Sequence, residues 1–435
     1  MSDSALAPRT SAGPPPPAST GRTVDEFILY ATFAVLLGGP LAFGAVQPWA
    51  RFALEASAAT LLALWTIQQM RRGEVRIAGN PLFAPMLAFA AIAVVQLITC
   101  STAYRYATQS QLALYAAYGA FCFLIVQLLR RTRQIKRLAF VFTTYAVAVA
   151  FFALLQGLSA TGKLYWLRQP SIGGWIYGPY VNHNHYAGLM EMLLPIALAV
   201  ALSHYSSTGQ KISASLAAML IAITIFLSGS RGGMVAFAAQ ITILSVVILR
   251  HKRNRAVFLV AILALLAVAL AVWMIDSTSV SRLASIAAET HGEISGGTRM
   301  NIDRDTLRMF IHRPLLGWGL GTFAEVYPQF RSFYTDFIIN EAHNDYLQFL
   351  AEMGLPGLLV MVWFIAAIYR NAWRKLGNWP SNINGSVALA STLAVTGILV
   401  HSFVDFNLQI PANAALFYSL SVVAAMEPRF GLSRG

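Results

Sequence analysis

A tight turn at residues 228–233 (SGSRGG) places Arg231 between two apolar segments. A helix that begins here would attract an anion with its free N–H groups and positive dipole, and the Arg231 guanidinium offers a fork that suits phosphate. Gly232 and Gly233 would let the backbone come close to a ligand. The turn therefore predicts a site for an anionic ligand. The alternative is a plain hairpin turn whose arginine reaches to lipid headgroups.

A second group of arginines lies in residues 296–323, whose first part predicts an amphipathic helix that ends before Pro314. Arg304 and Arg308 share one face of this helix at a spacing of four residues, and Arg299 lies at its start. A cation beside the positive end of a helix is unfavourable unless an anion is near, so the helix start also predicts an anion site. The alternative is a helix lying on the membrane surface. Its apolar stripe would consist of Met300, Leu307, Phe310 and Ile311.

His343 belongs to a polar segment, residues 340–348 (NEAHNDYLQ), at the start of an apolar stretch. We expect His343 in the first turn of a helix, on the same face as Leu347. The positive end of a helix disfavours imidazolium, so the ring would stay neutral and able to accept a proton. Neutral imidazole is a common general base, which is the predicted role of His343. The alternative is a histidine that only forms hydrogen bonds at the membrane edge.

Two smaller polar clusters complete the candidate site. One contains His185 (NHNHY, residues 182–186), and the other contains Asp405 (HSFVD, residues 401–405). Asp405 could orient a histidine, pair with an arginine or cap its loop. Glu191 lies inside an apolar stretch, where a carboxylate must face protein or water, and we expect it to pair with an arginine.

Asp303 and Asp305 match the Asp-x-Asp pattern of metal-dependent glycosyltransferases. On a helix, residues two positions apart do not face each other, so these two carboxylates are poor joint ligands for one ion. We therefore expect no metal site. The chain also carries no nucleotide-binding motif, and we expect no cofactor.

The composition requires a membrane to position these residues. Of 435 residues, 57% are hydrophobic and only 11% are charged, and the mean hydropathy is +0.59. A soluble protein carries about 25% charged residues, so a soluble enzyme, a disordered chain and a disulfide scaffold are excluded. The sequence therefore predicts an all-α, polytopic membrane protein, in which every backbone polar group is paired within helices.

Twelve apolar stretches are long enough to be membrane-spanning helices. They are residues 27–46, 52–70, 82–100, 112–129, 138–158, 186–202, 212–227, 234–249, 256–275, 346–369, 387–401 and 411–426. Gly354 and Pro356 interrupt the tenth stretch, which could form two helical pieces. We expect a disordered tail at residues 1–26, nine spans at 27–275, one long loop at 276–345, three spans at 346–426 and a short tail at 427–435.

The basic residues predict the orientation of these spans. With the N-terminus inside, 20 lysines and arginines fall in cytoplasmic segments, five in short outer loops and six in residues 276–345, a loop too long to follow this bias. Both tails are therefore predicted to be cytoplasmic, and the long loop faces outward. The net charge of +13 is explained by this bias, and we expect no nucleic-acid partner.

The chain resembles the O-antigen ligase/polymerase superfamily, and most closely the O-antigen ligases of Gram-negative inner membranes. Five stretches carry the resemblance: NHNHYAGLM (182–190), SGSRGGMVAF (228–237), PLLGWGLGTF (314–323), AHNDYLQFLAEMGLPGL (342–358) and HSFVDFNLQIP (401–411). The resemblance implies a fold like that of GT-C glycosyltransferases, with amphipathic helices in the periplasmic loop. It also implies metal-independent, inverting transfer of a polysaccharide from undecaprenyl pyrophosphate to lipid A–core.

The resemblance further implies roles for individual residues. The family's essential histidine corresponds to His343, and its essential arginines correspond to Arg231 and Arg299. We expect substrate contacts from residues near these three in the sequence or in the predicted outer loops. They are His185, Gly232, Gly233, Arg304, Arg308, Asn344, Asp345 and Asp405.

Two other functions stay open at this point. An O-antigen polymerase of the same superfamily would use a second lipid-linked glycan as its acceptor. A polysaccharide flippase or transporter would belong to a different class, but such proteins carry inverted repeats and charges at the middle of the membrane. Here the charges on the outer side collect in one loop. Membrane lipids are expected partners in every case.

Overall fold

The computed structural model describes residues 19–73, 75, 77–159, 162–170, 175–249, 296–335 and 338–430. Within these ranges the chain forms helices and loops and no β-strand. The predicted span 256–275, the first part of the long loop and most of the N-terminal tail lie outside them. The predicted all-α class is confirmed for the described residues.

The helices follow the predicted apolar stretches. The first eight are α1 (Ser19–Leu41), α2 (Pro48–Arg72), α3 (Phe83–Ile98), α4 (Arg105–Leu128), α5 (Thr132–Leu158), α6 (His183–Leu202), α7 (Thr208–Leu227) and α8 (Arg231–Leu249). The others are α9 (Gly296–His312), α10 (Phe323–Val326), α11 (Asp345–Trp373), α12 (Ile383–His401) and α13 (Pro411–Ala425). Helix α1 begins at Ser19, so residues 19–26 of the predicted tail are helical.

Nine helices in the described ranges are long and apolar enough to cross a membrane, and the chain is therefore a membrane protein. Two further apolar helices, α3 and α13, are shorter, at 16 and 15 residues. Eleven of the twelve predicted stretches thus coincide with helices. The total of twelve crossings stays a prediction.

The centre of the bundle is formed by α6 and α12, whose side chains are buried on nearly all sides. Helices α5, α7, α8 and α13 pack around them, and α1, α2 and α4 form the neighbouring layer. The outer helices expose large apolar side chains such as Phe52, Phe140 and Leu216. In a membrane these faces contact lipid and not water, so the exposed apolar side chains do not destabilise the fold.

Helix α11 is broken at Gly354, as the sequence predicted. Gly354 has φ 65° and ψ −165°, a backbone conformation that is essentially limited to glycine. The break frees the carbonyl groups of Ala351 and Glu352, which accept hydrogen bonds of 3.0 Å from Trp318 N and Gly319 N. The glycine-rich segment 315–321 therefore packs into the break, and its position ties α9 to α11.

Candidate active site

The α12–α13 loop (residues 402–410) joins the parts of the candidate site. Its strongest attachment is to Asp345, the first residue of α11. The Asp345 carboxylate accepts hydrogen bonds from Ser402 Oγ (2.7 Å), Leu408 N (3.1 Å) and Gln409 Nε2 (3.2 Å), and Asp345 N donates to Ser402 O (3.0 Å). Asp345 therefore anchors the loop to the start of α11, and its predicted contact with substrate stays a prediction.

Arg299 attaches α9 to the same loop. It lies in the first turn of α9, as predicted, and its Nη1 donates a hydrogen bond of 2.9 Å to Val404 O. Its Nε is buried, with no hydrogen-bond partner in the described ranges. Burial raises the pKa of Asp303, one turn later, to about 6, although the Arg299 charge and the Asn344 side chain act to lower it. Arg299 thus brings an incompletely satisfied guanidinium to the loop.

His343 lies close to Arg299 in the fold but not where the sequence placed it. Helix α11 begins at Asp345, and the Asn344 side chain caps it by accepting from Tyr346 N (3.1 Å) and Leu347 N (3.2 Å). His343 precedes this cap and has a left-handed backbone, with φ 58°. The expectation that His343 lies in the first helical turn is wrong, because Asn344 supplies the cap and the helix starts after it.

Phe406 of the loop contacts two histidines. Its ring centroid is 4.7 Å from the His343 ring and 4.8 Å from the His185 ring, and both contacts are edge-to-face. His185, in the first turn of α6, also approaches Asp405, with 3.8 Å between Nε2 and Oδ1. The loop therefore brings the two predicted histidines into contact with one aromatic ring.

Asp405 is fully buried and is the anion of the group. Its Oδ1 accepts a hydrogen bond of 2.8 Å from Phe406 N. Burial by itself would raise the pKa of Asp405, but the surrounding His185, His343 and His401 hold it below the ordinary value, with a further contribution from Arg299. A carboxylate held ionised among histidines can fix their orientation, which is one of the roles that the sequence left open.

Arg231 is the first residue of α8 and is exposed. Its turn is held by Ser230 Oγ, which accepts from Gly233 N (3.1 Å), and by a contact of 2.7 Å between His183 Nδ1 and Ser228 O. In the described part of the chain, no hydrogen bond or ion pair engages the Arg231 side chain. The guanidinium is therefore available to a ligand.

Gly232 and Gly233 serve close packing within the protein. A Cβ on Gly232 would lie 2.6 Å from His401 Nε2 and 2.9 Å from Val404 Cγ2, and one on Gly233 would lie 2.8 Å from Ala187 Cβ. The start of α8 is thus pressed against α6, α12 and the loop. These contacts account for both glycines without a ligand, and their predicted contact with substrate stays a prediction.

Arg304 and Arg308 lie on a different face of α9 from the loop contact of Arg299. Both are exposed, beside the exposed Met300, Leu307 and Ile311, whereas Ile302 and Met309 are buried. Arg308 pairs with Asp305 (3.1 Å), whose other oxygen accepts from Ser332 N (2.9 Å) and Ser332 Oγ (3.0 Å). Most of the predicted apolar stripe therefore faces outward, as in a helix that lies on a membrane surface.

The two aspartates of the Asp-x-Asp pattern have different surroundings. Asp305 is buried and accepts hydrogen bonds from Ser332 and Arg308, while Asp303 lies near Arg299. Among the described residues, no group of three or more His, Cys, Asp or Glu side chains is arranged to hold a metal ion.

Sequence reasoning missed the partner of Glu191. Its Oε1 lies 2.9 Å from His401 Nδ1, and both side chains are fully buried. The expectation of an arginine partner is therefore wrong. The signal was incomplete: a carboxylate inside a span requires a partner, but hydropathy does not say which of several cations lies next to it.

An apolar cavity of about 530 Å³ adjoins this end of the bundle. Asp345, Tyr346 and Gln409 line it at the α12–α13 loop. Most of its wall comes from α3, α4, α11 and α13 and consists of aromatic and aliphatic side chains, including Phe89, Phe349 and Phe417. The cavity can hold an aliphatic chain next to the polar groups of the loop.

The fold and site together define a helical membrane protein with cationic and imidazole groups at one end of its bundle. Residues 216–362 match the family model described as O-antigen ligase, a region that includes Arg231, Arg299 and His343. This match supports membership of the O-antigen ligase/polymerase superfamily, as the motifs predicted, and members of the matched family are glycosyltransferase-like enzymes. A comparison with curated proteins gave no match.

Proposed function

We propose that the protein is an O-antigen ligase, which transfers a polysaccharide from undecaprenyl pyrophosphate to the lipid A–core acceptor. The observation that carries this proposal is the gathering of Arg299, His343 and Asp405 around one loop beside an apolar cavity. The family match supports the coarser function, transfer of lipid-linked polysaccharide. The proposed location is the bacterial inner membrane, with both termini cytoplasmic and the site facing the periplasm.

His343 is the proposed general base. The acceptor hydroxyl loses a proton as its oxygen attacks the anomeric carbon, and a neutral imidazole can take that proton. His185 and Asp405 help to hold this group of rings through Phe406 and the buried carboxylate. One direct attack on the anomeric carbon inverts its configuration, which is the proposed stereochemical outcome.

Arg231 and Arg299 are the proposed partners of the departing diphosphate. Breaking the bond between sugar and pyrophosphate increases the negative charge on the leaving oxygen, and guanidinium groups stabilise that charge. Arg231 is exposed at the start of α8, and Arg299 retains a buried N–H without a partner in the described ranges. Two such arginines could supply the charge that a metal ion supplies in other transferases.

The apolar cavity supports a substrate that is carried on a hydrocarbon chain. A lipid-linked sugar must present its polar head at the membrane edge while its tail stays in hydrocarbon. Asp345 and Gln409 line the cavity at the α12–α13 loop, and most of the residues elsewhere are aromatic or aliphatic. It would hold part of the undecaprenyl chain of the donor, with the diphosphate next to the arginines.

The test is reconstitution of the purified protein in nanodiscs with undecaprenyl-pyrophosphate-linked polysaccharide and lipid A–core. We expect polysaccharide to appear on lipid A–core in a gel, and we expect the variant His343→Asn to give far less product in the same time. Longer lipid-linked chains without modified lipid A–core would instead indicate a polymerase. Movement of the donor across the bilayer without any new glycosidic bond would indicate a transporter.

A further inference from the structure

Glu191 and His401 form a buried pair at the junction of three helices. The pair joins α6 to α12, with 2.9 Å between Glu191 Oε1 and His401 Nδ1 and no exposed surface on either side chain. Gln240 of α8 completes the junction by donating to Glu191 O (2.8 Å) and Leu393 O (2.9 Å). The pair therefore lies where the two central helices of the bundle meet the helix that carries Arg231.

The start of α8 rests directly on this pair. A Cβ on Gly232 would lie 2.6 Å from His401 Nε2, and one on Gly233 would lie 3.1 Å from Glu191 Oε1. Real Cβ contacts are rarely this close, so only glycine fits at these positions without a shift of the neighbours. Arg231 immediately precedes these two glycines, so its backbone lies next to the imidazole and the carboxylate.

Stability alone does not account for such a pair. Removing two ionisable groups from water costs free energy that their mutual attraction only partly returns, and apolar residues of similar volume often serve as well. In the described part of the chain, Glu191 Oε2 and His401 Nε2 have no hydrogen-bond partner, so the pair is not fully satisfied. Its geometry is better explained by what it holds in place.

We propose that Glu191 and His401 are positioning residues for Arg231. They fix the position and direction of the first turn of α8, so that the Arg231 guanidinium contacts the diphosphate of the donor. Neither side chain touches substrate in this proposal, because both are fully buried. The inference rests on the proposed function, which assigns the diphosphate to Arg231.

The first test is a double-mutant cycle on the full-length protein in nanodiscs, using Glu191→Gln and Arg231→Ala. Glutamine keeps the size of the side chain and an oxygen next to His401 but removes the charge. We expect Glu191→Gln to lower kcat at least tenfold alone and less than twofold in the Arg231→Ala background, because the two residues act as a unit. If the effects of the two substitutions on kcat multiplied, the pair would act independently of Arg231 and the proposal would be overturned.

The matched control is Tyr369→Phe. Tyr369 Oη and Thr396 Oγ1 form a contact of 2.6 Å between α11 and α12, and neither residue belongs to the candidate site. Tyr369→Phe should lower the melting temperature while kcat stays within twofold, and its effect should multiply with that of Arg231→Ala. If it lowered kcat as much as Glu191→Gln does, general loosening of α12 would explain both effects and the proposal would fail.

A second readout separates this inference from the proposed function. Binding of undecaprenyl diphosphate should be measured for the wild type, Glu191→Gln, Arg231→Ala and the double variant. We expect Glu191→Gln to weaken binding only when Arg231 is present. A wild-type protein that binds the diphosphate but transfers no sugar would refute the proposed function, while the binding cycle still decides the role of the pair. Transfer and binding unchanged by Glu191→Gln would refute the positioning role alone.

Discussion

His343 has a backbone conformation that few residues adopt. Its φ of 58° is left-handed, a region in which asparagine, aspartate and histidine are enriched and β-branched residues are rare. The neighbouring Asn344 caps α11 and forces the chain to turn before the helix begins. Because asparagine also adopts a left-handed φ, His343→Asn removes the imidazole from the proposed base with the least damage to the backbone.

We predict that His343→Asn lowers kcat by about 10²–10⁴-fold, the usual contribution of a general base, with an unchanged melting temperature. His343→Ala should lose activity and also melt earlier, because left-handed φ costs alanine about 1–2 kcal/mol. Kinetics and differential scanning fluorimetry on both variants test this. Turnover within tenfold of wild type in His343→Asn would exclude the residue as the base.

Arg299 gives a second prediction at this scale. Arg299→Lys keeps the charge but loses the planar fork, which both donates to Val404 O and leaves Nε for a ligand. We expect kcat to fall by about 10–100-fold, somewhat less than for complete loss of a transition-state donor. Arg331→Lys, an exposed change outside the site, is the control and should stay within twofold. Equal losses in both variants would contradict a specific role for Arg299.

Metal dependence can be tested on the same preparation. If Arg231 and Arg299 supply the charge for the leaving diphosphate, transfer should continue in excess chelator at close to the untreated rate. The measurement is the initial rate with and without chelator, followed by addition of Mg²⁺ or Mn²⁺. A loss of activity that a divalent ion restores would show that the arginines are insufficient.

At the scale of helices, the glycines at the start of α8 give a matched pair of variants. Gly232 is the second residue of α8 and Gly209 the second residue of α7, but a Cβ on Gly232 would meet His401 and Val404, whereas one on Gly209 would meet nothing within 4 Å. We predict that Gly232→Ala destabilises the protein by about 1–3 kcal/mol and lowers activity. Thermal unfolding and transfer assays measure both effects.

Gly209→Ala should be neutral or slightly stabilising, because alanine loses less backbone freedom than glycine on folding. Similar losses in the two variants would indicate that helix starts in this bundle are generally intolerant, and the specific fit of α8 against His401 would be doubtful.

The helices themselves were largely predictable from the sequence. Span length and hydropathy follow from the thickness of the membrane and from backbone pairing, so eleven predicted stretches coincide with helices. The break at Gly354 was predictable for the same local reason, since glycine and proline interrupt helices wherever they occur. Local chemistry was sufficient for both.

Contacts between distant parts of the chain were not predictable. The Glu191–His401 pair spans 210 residues, and the attachment of Asp345 to Ser402 spans 57. No local pattern encodes such partners. The exposed face of α9 was also predicted only as one alternative, because an apolar stripe can face either the protein core or lipid, and the choice depends on its neighbours.

At the scale of the whole molecule, the stability of the fold should depend on pH through Glu341. Burial raises its pKa to about 8, with smaller contributions from Glu352 and Asp345, although the hydrogen bond from Gln348 acts to lower it, so the folded protein favours the protonated acid. The folded state then binds more protons than the unfolded state between about pH 4.5 and 8. The stability that protonated Glu341 contributes is fully present below about pH 4.5 and is lost as the pH rises towards about 8.

We predict that Glu341→Gln flattens the fall of the melting temperature between pH 5 and 8, since glutamine keeps an oxygen for Gln348 and does not ionise. The control is Glu26→Gln. Glu26 is partly exposed and paired with Arg131, and this variant should show the same dependence of melting temperature on pH as the wild type. Melting curves at several pH values measure the effect. A profile as steep in Glu341→Gln as in wild type would assign the pH dependence to other groups.

The α12–α13 loop has a consequence for how the molecule is made. It follows α1–α12 in the chain, yet it supports the starts of α6, α9 and α11 through Asp405, Val404 and Ser402. During synthesis these earlier helices must enter the bilayer before their common support leaves the ribosome. The starts of α6, α9 and α11 therefore gain these contacts only after the α12–α13 loop has been made.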